Sequence, residues 1–224
     1  MIRAEDLVLD VASGGGRLTI IKGVSLSVPR GKLTILSGRS GSGKTTLLNM
    51  LGGLLVPTSG RVFYEENELY AQPTAKRERY RREKVGFVFQ NSSLFPGLTA
   101  FENVEYGLRL AGAGPDEKQV LEWLETVGLQ ERIRLPIDDL SGGEQQRVAI
   151  ARAFVHSPEI VFADEPTSQL DSDTSRRIYR LFRQVIAQKN VTALITSHDP
   201  EAYEAADLVI RLEDGRSVDE QEGG

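Results

Sequence analysis

Residues 38–45 read GRSGSGKT, in which two glycines enclose four residues and are followed by lysine and threonine. This spacing is typical of a phosphate loop, whose backbone N–H groups surround phosphate oxygens. The lysine would reach the β and γ phosphates, and the threonine hydroxyl would ligate Mg²⁺. A strand-like run, LTILS, precedes the loop and a helix-like run, TTLLNMLGGLL, follows it, as such a loop requires. The sequence therefore predicts a triphosphate site made by Gly38, Arg39, Ser40, Gly41, Ser42, Gly43, Lys44, Thr45 and Thr46.

Two carboxylates follow the apolar run IVFA at 160–163, which reads as a buried strand. Asp164 ends that strand, and its oxygen atoms are suitable ligands for Mg²⁺ together with the Thr45 hydroxyl. Glu165 comes next, where a carboxylate can align an attacking water and accept its proton. An ordinary surface carboxylate is the alternative, and the position beside Asp164 favours the general base.

Two further polar residues follow predicted strands: Gln90 after VGFVF and His198 after VTALITS. Alone, each would be interpreted as a satisfied loop residue. Ligands of an open parallel sheet bind outside the carboxyl ends of its strands, however, so both are expected at one rim with Asp164. Gln90 would contact magnesium and the attacking water, and His198 would hydrogen-bond the γ-phosphate. His156 precedes its strand and is expected to lie away from this chemistry.

The run LSGGEQQR, residues 140–147 and here called the Ser141 segment, begins a predicted helix with two glycines. Each glycine costs a helix about 1 kcal/mol relative to alanine, so the pair needs a reason. Ser141 and Glu144 form a capping-box pattern, which explains the ends of the segment but not its glycines. A helix start without side chains leaves its N–H groups open to an anion. Since one nucleotide already has its phosphate loop, this second helix start is surplus to a single site unless it serves the nucleotide of another copy of the chain.

Composition excludes several classes of function. The 224 residues carry a net charge of −5, which argues against broad electrostatic binding to nucleic acid. The chain has no cysteine, so disulfides, thiolate catalysis and cysteine-held metals are excluded. Neither a membrane span nor an export signal is expected, because no apolar run approaches about 18 residues and the start, MIRAEDLVLD, contains acidic residues. The basic stretch 75–84 is interpreted as a solvated helix face rather than a contact surface for lipid phosphates or a partner.

Strand-like runs alternate with helix-like runs, which predicts an α/β fold with a mostly parallel sheet and an antiparallel N-terminal region. The strand candidates are 33–37, 85–89, 160–163, 191–196 and 207–212. Residues 91–140 show helices and no convincing strand, so they are interpreted as an inserted helical subdomain. We therefore expect one domain, 1–224, with a catalytic core at 1–90 and 141–216, the helical subdomain at 91–140, and a flexible acidic tail at 217–224.

Taken together, GRSGSGKTT, FQ, LSGGEQQR, IVFADEP, SQLD and SHD resemble the nucleotide-binding subunit of an ATP-binding cassette (ABC) transporter over essentially the whole chain. The Ser141 segment is the most specific motif, because other phosphate-loop ATPases, GTPases and kinases lack it. The resemblance implies a RecA-like core, ATP and Mg²⁺ as ligands, and two copies paired head to tail. Each copy would complete its partner's ATP site with Ser141, Gly142, Gly143 and Gln145. Asp171 of SQLD would lie at the dimer junction.

The same resemblance implies a membrane partner. The helical stretch after Gln90 would grip a coupling segment of permease subunits, which places the chain in the cytoplasm, peripheral on the inner face of the plasma membrane. The runs LLNMLGGLLVPTSG and GFVFQNSSLFPGLTAFENV are similar to the branch of the family that serves macrolide export and lipoprotein release. ARAFVHSPEIVFADEPTS is similar to haem-exporting members, so haem or hydrophobic-compound efflux is the transport that the resemblance implies.

An importer subunit is the nearest alternative. A soluble cassette acting on DNA or ribosomes is less favoured, because it would need a coiled-coil insertion, tandem cassettes or a basic surface. The Ser141 segment argues against a phosphate-loop kinase. One departure concerns the base: many members of the family stack adenine on an aromatic residue near the N-terminus, whereas DLVLDVASGGG offers only Val11 or its neighbours, which predicts loose base selectivity.

Overall fold

The computed structural model describes residues 1–222, which form two sheets and the helices around them. The smaller sheet is antiparallel and lies at the N-terminal end of the chain. Its strands, in the spatial order β2-β1-β4-β5, are β1 (Ile2–Ser13), β2 (Gly16–Val28), β4 (Ser59–Tyr64) and β5 (Asn67–Glu68). The expected antiparallel N-terminal region is therefore confirmed.

The larger sheet has six strands and is parallel except at one edge. Its order is β10-β9-β3-β8-β7-β6, so consecutive parallel strands are joined by crossovers. The strands are β3 (Leu33–Ser37), β6 (Val85–Val88), β7 (Ile160–Asp164), β8 (Thr192–Thr196), β9 (Leu208–Glu213) and β10 (Arg216–Glu222). The predicted α/β fold with a mostly parallel sheet is confirmed.

Seven α-helices are present in the described residues, together with one 3₁₀ turn at Ile137–Asp139. Two of them lie in the segment that was expected to be a helical subdomain, and the following helix packs against both. The expected division of the chain at residues 91 and 140 stays a prediction. The helices are α1 (Lys44–Leu51), α2 (Thr74–Lys84), α3 (Ala100–Leu110), α4 (Glu117–Thr126), α5 (Gly142–Phe154), α6 (Ser172–Lys189) and α7 (Pro200–Ala205).

The central parallel strands β3, β8 and β7 are buried on both faces, which explains why they read as continuous apolar runs. In β7, Val161 and Ala163 enter the core cluster under α3 to α6, while Ile160 and Phe162 enter the cluster under α1 and the antiparallel sheet. The basic stretch forms α2, in which no residue is buried, as its interpretation as a solvated face requires. No helix of residues 1–222 is long and apolar enough to cross a membrane.

Residues 217–222 fall in the segment that was expected to be a flexible tail, and its flexibility stays a prediction. They belong to β10, which pairs antiparallel with β9 across a turn at Asp214 and Gly215, where φ is 46° and 77°. Without β10, the edge of β9 would leave its backbone N–H and C=O groups unpaired. Because β10 pairs with them through its own backbone, the pairing does not depend on the polarity of the β10 side chains. Residues 223 and 224 lie outside the described residues.

At Gly86, β6 lies so close to α5 that no side chain fits between them. A β-carbon there would collide with the Ala153 carbonyl of α5 and come within 3.1 Å of Val161 Cγ2. We expect Gly86→Ala to lower the free energy of unfolding by about 1–3 kcal/mol, because backbone cannot yield as a side chain can. Gly114→Ala is the matched control, since a β-carbon at Gly114 meets no atom within 4 Å. Urea titration measures both, and equal stability of the two variants would contradict this packing.

Candidate nucleotide-binding site

Lys44 is the first residue of α1 and its side chain is 6% exposed. Its Nζ donates hydrogen bonds to the carbonyl oxygens of Gly38 at 2.9 Å and Arg39 at 3.3 Å. The same Nζ lies 3.4 Å from Oε1 of Glu165. A buried ammonium is costly without such partners, so the lysine is held as a fixed positive charge inside its own loop.

The phosphate loop, residues 38–45, depends on glycine at two positions. Gly38 and Gly43 have φ of 153° and 102°, and a β-carbon on Gly38 would lie 2.7 Å from Ser42 Oγ. The loop closes with a hydrogen bond from Ser42 N to the Arg39 carbonyl at 3.2 Å. Among the described residues, the amides of Gly41 and Gly43 donate to no other group of the chain. They are therefore available to an anion at the start of α1.

Two of the three expected magnesium ligands, Thr45 and Asp164, contact each other, whereas Gln90 does not contact either of them. Asp164 Oδ1 accepts a hydrogen bond from Thr45 Oγ1 at 3.0 Å and another from Thr196 Oγ1 at 2.7 Å. Residues 1–222 contain no cluster of three or more His, Cys, Asp or Glu side chains that could hold a metal by themselves. One carboxylate and one hydroxyl fit Mg²⁺, which proteins commonly hold through one or two carboxylates together with substrate phosphates.

Glu165 adopts an unusual backbone conformation for a residue with a side chain, with φ of 42°. Its N–H donates to the hydroxyl of Thr196 at 2.9 Å and to the carbonyl of the same residue at 3.1 Å, which fixes this conformation. His198 Nδ1 lies 3.8 Å from Glu165 Oε1, and the histidine side chain is 61% exposed. Strained backbone at a site is commonly part of its function, and here it directs a carboxylate between a lysine and a histidine.

Gln90 reaches the same rim from another side. Its amide nitrogen donates to Ser168 Oγ at 3.2 Å, in the loop that follows Glu165. The structure thus brings the phosphate loop, Asp164, Glu165 and His198 into mutual contact and places Gln90 against the adjoining loop. The predicted contacts of Gln90 with magnesium and of His198 with the γ-phosphate stay predictions.

The Ser141 segment is a fully formed capping box. Ser141 N and Oγ donate to Glu144 Oε2 at 2.9 and 2.8 Å, and Glu144 N donates back to Ser141 Oγ at 3.3 Å. The backbone N–H and then the hydroxyl of Ser141 lower the pKa of Glu144, because both stabilise its charged form. The amides of Gly142 and Gly143 donate to no group in residues 1–222.

The Ser141 segment opens into a cavity of about 470 Å³ that none of the phosphate-loop residues lines. A β-carbon on Gly143 would come within 3.0 Å of Thr174 Cγ2, so glycine keeps this surface clear. Asp171 borders the same cavity and caps α6, accepting from Thr174 N at 3.0 Å. Its carboxyl pKa is lowered by the hydroxyl and then the amide of Thr174.

Gln145 makes hydrogen bonds within its own chain. Its side-chain nitrogen donates to the carbonyl oxygens of Ile137 and Leu140, both at 3.1 Å. It therefore ties the first turn of α5 to the preceding 3₁₀ turn. The predicted contact of this side chain with a partner's nucleotide stays a prediction.

Sequence reasoning missed Thr196 and the hydrogen-bond network beside it. Tyr179 OH lies 2.7 Å from Thr167 Oγ1 and 2.8 Å from Ser197 Oγ, and Thr167 also donates to Asp199 at 2.6 Å. Burial raises the pKa of Tyr179 to about 12, so the phenol keeps its proton. The network ties the loop after Glu165 to the segment that carries His198. Thr196 could have been found from one signal, a hydroxyl at the carboxyl end of a buried strand.

A second cavity, about 530 Å³ and here called the α2–α3 groove, lies on another side of the chain. Phe89, Phe95 and Leu110 line it and are exposed, which leaves an apolar surface in contact with solvent. Basic side chains of α2, Arg81 and Arg82, border it. His156 lies in this groove rather than at the rim, and burial lowers its pKa.

Comparison with known proteins agrees with this geometry. A family model described as ABC transporter matches residues 21–168. The putative hemin import ATP-binding protein HrtA of Staphylococcus aureus (strain bovine RF122 / ET3-1) is 40% identical over 217 residues, covering 96% of this chain and 98% of that protein. HrtA of strain MRSA252 is 40% identical over the same lengths.

Solved structures of ATP-binding cassettes have the same fold. The dimeric post-hydrolysis state of the cassette MJ0796, bound to ADP and Pi, has a TM-score of 0.91 at 34% identity and covers 99% of this chain and 98% of its own. CbiO1 from Clostridium perfringens, part of the transporter complex CbiONQ, has a TM-score of 0.86 at 27% identity. The match covers 99% of this chain and 88% of CbiO1. The phosphate loop, the carboxylate pair and the Ser141 segment thus lie in a known arrangement, and the chain belongs to the ABC transporter family as an ATP-binding and ATP-hydrolysing cassette.

Proposed function

We propose that two copies of this chain enclose two ATP molecules and that their closing and opening drives a separate membrane permease. The observation that carries the proposal is the separation of two anion-binding surfaces within one chain. Amides of the phosphate loop and of the Ser141 segment are both free of acceptors among the described residues, yet no phosphate-loop residue lines the cavity of the Ser141 segment. A head-to-tail pair brings the two surfaces together across one triphosphate. The MJ0796 cassette, which is 34% identical, is dimeric with ADP and Pi bound.

Each group of the rim has a role in hydrolysis. Lys44 and the loop amides hold the β and γ phosphates. The phosphate oxygens then replace the two carbonyl oxygens and the carboxylate as the partners of Lys44. Asp164 and Thr45 would hold Mg²⁺, which supplies charge neutralisation at the phosphate oxygens when bound. Glu165 accepts a proton from the attacking water as the bond between the γ phosphorus and its bridging oxygen breaks, leaving ADP and phosphate. His198 and Gln90 position the γ-phosphate and the water.

Work is obtained because ATP binds the closed pair more tightly than the open one. ATP contacts both surfaces only in the closed pair, so its affinity for the closed pair is higher. ATP therefore shifts the equilibrium towards the closed pair. Hydrolysis removes the bond between the β and γ phosphates, and the shared contacts weaken. The cycle therefore converts phosphoryl transfer into movement of whole subunits.

The α2–α3 groove supplies the permease contact. Three exposed apolar side chains, Phe89, Phe95 and Leu110, offer a surface that a helix of the permease can cover. Gln90 follows Phe89 directly, so the groove adjoins a residue of the nucleotide rim. We propose that the chain binds the permease at this groove, on the cytoplasmic face of the membrane.

Haem, or a hydrophobic compound of similar character, is the substrate that we propose, with export as the direction. The relatives that support haem are named for hemin import, so import is the alternative direction. Selectivity resides in the permease in this arrangement, because the cassette contacts nucleotide rather than substrate.

Glu165→Gln tests the general base. The variant should bind MgATP and form an ATP-dependent dimer, while hydrolysis falls by about 10²- to 10⁴-fold, since glutamine accepts no proton. Phosphate release and size-exclusion chromatography measure these properties. The control is Glu159→Gln, whose carboxylate pairs with Lys84 at the opposite end of β7, and which should hydrolyse ATP normally. Normal turnover by Glu165→Gln would remove Glu165 from this role.

Ser141→Ala tests whether the Ser141 segment does more than cap a helix. Thr99 and Glu102 form a second capping box, at α3, with the same pattern of hydrogen bonds. Ser141→Ala and Thr99→Ala should therefore lower stability by similar amounts. Only Ser141→Ala should lower hydrolysis, by about 10- to 100-fold, because it removes a hydrogen bond to a charged phosphate. Equal hydrolysis by the two variants would show that Ser141 only caps.

Leu110→Glu tests the groove and the substrate together. Leu110 is 53% exposed in the α2–α3 groove, and Val218 on β10 is 52% exposed elsewhere. In cells that lack the chain, wild type and Val218→Glu should restore resistance to haem, whereas Leu110→Glu should fail although the purified variant still hydrolyses ATP. Restored growth on haem as the iron source, without any change in resistance, would show import. Full activity of Leu110→Glu in cells would contradict docking at this groove.

A further inference from the structure

Thr196 is the last residue of β8, the strand that lies between β3 and β7. In the parallel register it pairs with Asp164 of β7 and with Leu36 of β3. Phe162 and Leu194 lie two residues earlier in β7 and β8, and both enter the core cluster under α1 and the antiparallel sheet. Residues two apart on a strand share a face, so Asp164 and Thr196 both lie on the α1 side of the sheet.

The Thr196 hydroxyl makes two hydrogen bonds of opposite direction. It donates its proton to Asp164 Oδ1 at 2.7 Å, and its oxygen accepts from the backbone N–H of Glu165 at 2.9 Å. Thr196 is fully buried, so bulk solvent does not reach either hydrogen bond. A hydroxyl has a single proton. The carboxylate of Asp164 therefore fixes how the hydroxyl turns, and a lone pair of its oxygen is left for Glu165.

Asp164 and Glu165 both depend on this hydroxyl. Among the described residues, Asp164 Oδ1 has one other donor, the Thr45 hydroxyl at 3.0 Å. The proposed function assigns that hydroxyl to Mg²⁺, which leaves Thr196 to orient Asp164. Glu165 has φ of 42°, a conformation that persists only where its surroundings hold it. The hydroxyl and the carbonyl of Thr196 are the two acceptors that hold its N–H.

Both neighbours have roles that depend on orientation. A general base must lie within hydrogen-bond reach of the proton that it accepts, and a displacement of about 1 Å can cost about 10²-fold in rate. A carboxylate that ligates a metal is itself oriented by hydrogen bonds. Loss of such an outer partner typically costs about 10- to 100-fold in metal affinity or activity.

We propose that Thr196 is a positioning residue for ATP hydrolysis, whose hydroxyl holds the metal-binding carboxylate and the general base as one unit. It acts through Asp164 and Glu165 rather than on the nucleotide. The proposal rests on the proposed function, since that function assigns Mg²⁺ to Asp164 and proton transfer to Glu165. Loss of this one hydroxyl should therefore impair metal affinity and turnover together.

Thr196→Val tests the effect on turnover, because valine keeps the shape of threonine without its hydroxyl. At saturating Mg²⁺, kcat for ATP hydrolysis should fall by about 10- to 100-fold. The KM for ATP should stay nearly unchanged, since the phosphate loop keeps its own contacts. Thr196→Ser, which restores the hydroxyl, should recover most of the rate. Thr196→Ala removes the same hydroxyl with less volume than valine and should show the same losses.

Binding without turnover tests the effect on the metal. Glu165→Gln should keep ATP intact, so titration calorimetry in that background can measure ATP affinity in EDTA and over a range of Mg²⁺ concentrations. Adding Thr196→Val should leave the affinity for metal-free ATP unchanged. The Mg²⁺ concentration for half-saturation should rise by about 10- to 100-fold.

Thr34→Val is the matched control for removal of a buried hydroxyl. Thr34 lies in the adjacent strand β3 and is also fully buried, and its hydroxyl has no hydrogen-bond partner among the described residues. Thr34→Val should therefore hydrolyse ATP and respond to Mg²⁺ as wild type does.

Wild-type kcat and Mg²⁺ dependence in Thr196→Val or Thr196→Ala would overturn the proposal. Equal losses in Thr34→Val would do so too, as would a Thr196→Ser variant that does not recover the rate. Failure of the proposed function would give a different result. In that case wild type would not hydrolyse ATP, or Glu165→Gln would turn over normally.

Discussion

The carboxylate of Asp164 joins three adjacent strand ends, and the arrangement of the whole site depends on this contact. It accepts hydrogen bonds from the hydroxyl of Thr45, which follows β3, and from the hydroxyl of Thr196, which ends β8. Asp164 itself is the last residue of β7. The order β3-β8-β7 makes these three ends neighbours. Thr196 then holds the strained backbone of Glu165 through two hydrogen bonds. One acceptor thus sets both the magnesium ligands and the direction of the proposed general base.

A continuous set of contacts links that rim to the α2–α3 groove and to the Ser141 segment. Arg152 of α5 donates to the carbonyl oxygens of Ser92 and Ser93, both at 2.8 Å. Ser92 Oγ also donates to Gln146 at 2.6 Å, and Gln146 lies in the first turns of α5. The segment that follows Gln90 is therefore fastened to the helix that begins with the Ser141 segment. These hydrogen bonds connect the residues after Gln90 directly to α5.

Much of the fold and of the rim could be predicted from sequence, because both depend on local patterns. Apolar runs located the parallel strands, and the glycine spacing located the phosphate loop. The position of each polar residue after a strand placed Asp164, Glu165 and His198 together. Thr196 was missed because a hydroxyl in an apolar strand carries no motif, and its role appears only when β8 lies between β3 and β7. The pairing of β10 was missed because backbone hydrogen bonds at a sheet edge do not depend on side-chain polarity. The contacts of Gln145 within its own chain were not predicted for a similar reason, since its partners are backbone carbonyls.

The proposed mechanism requires that one triphosphate be shared between two copies of the chain. A structure of Glu165→Gln with ATP and Mg²⁺ would show this directly. We expect two molecules of ATP between two chains, with each γ-phosphate held by Lys44 of one chain and by the amides of Gly142 and Gly143 of the other. A triphosphate enclosed by Lys44 and the Ser141 segment of the same chain, with no second copy present, would contradict it.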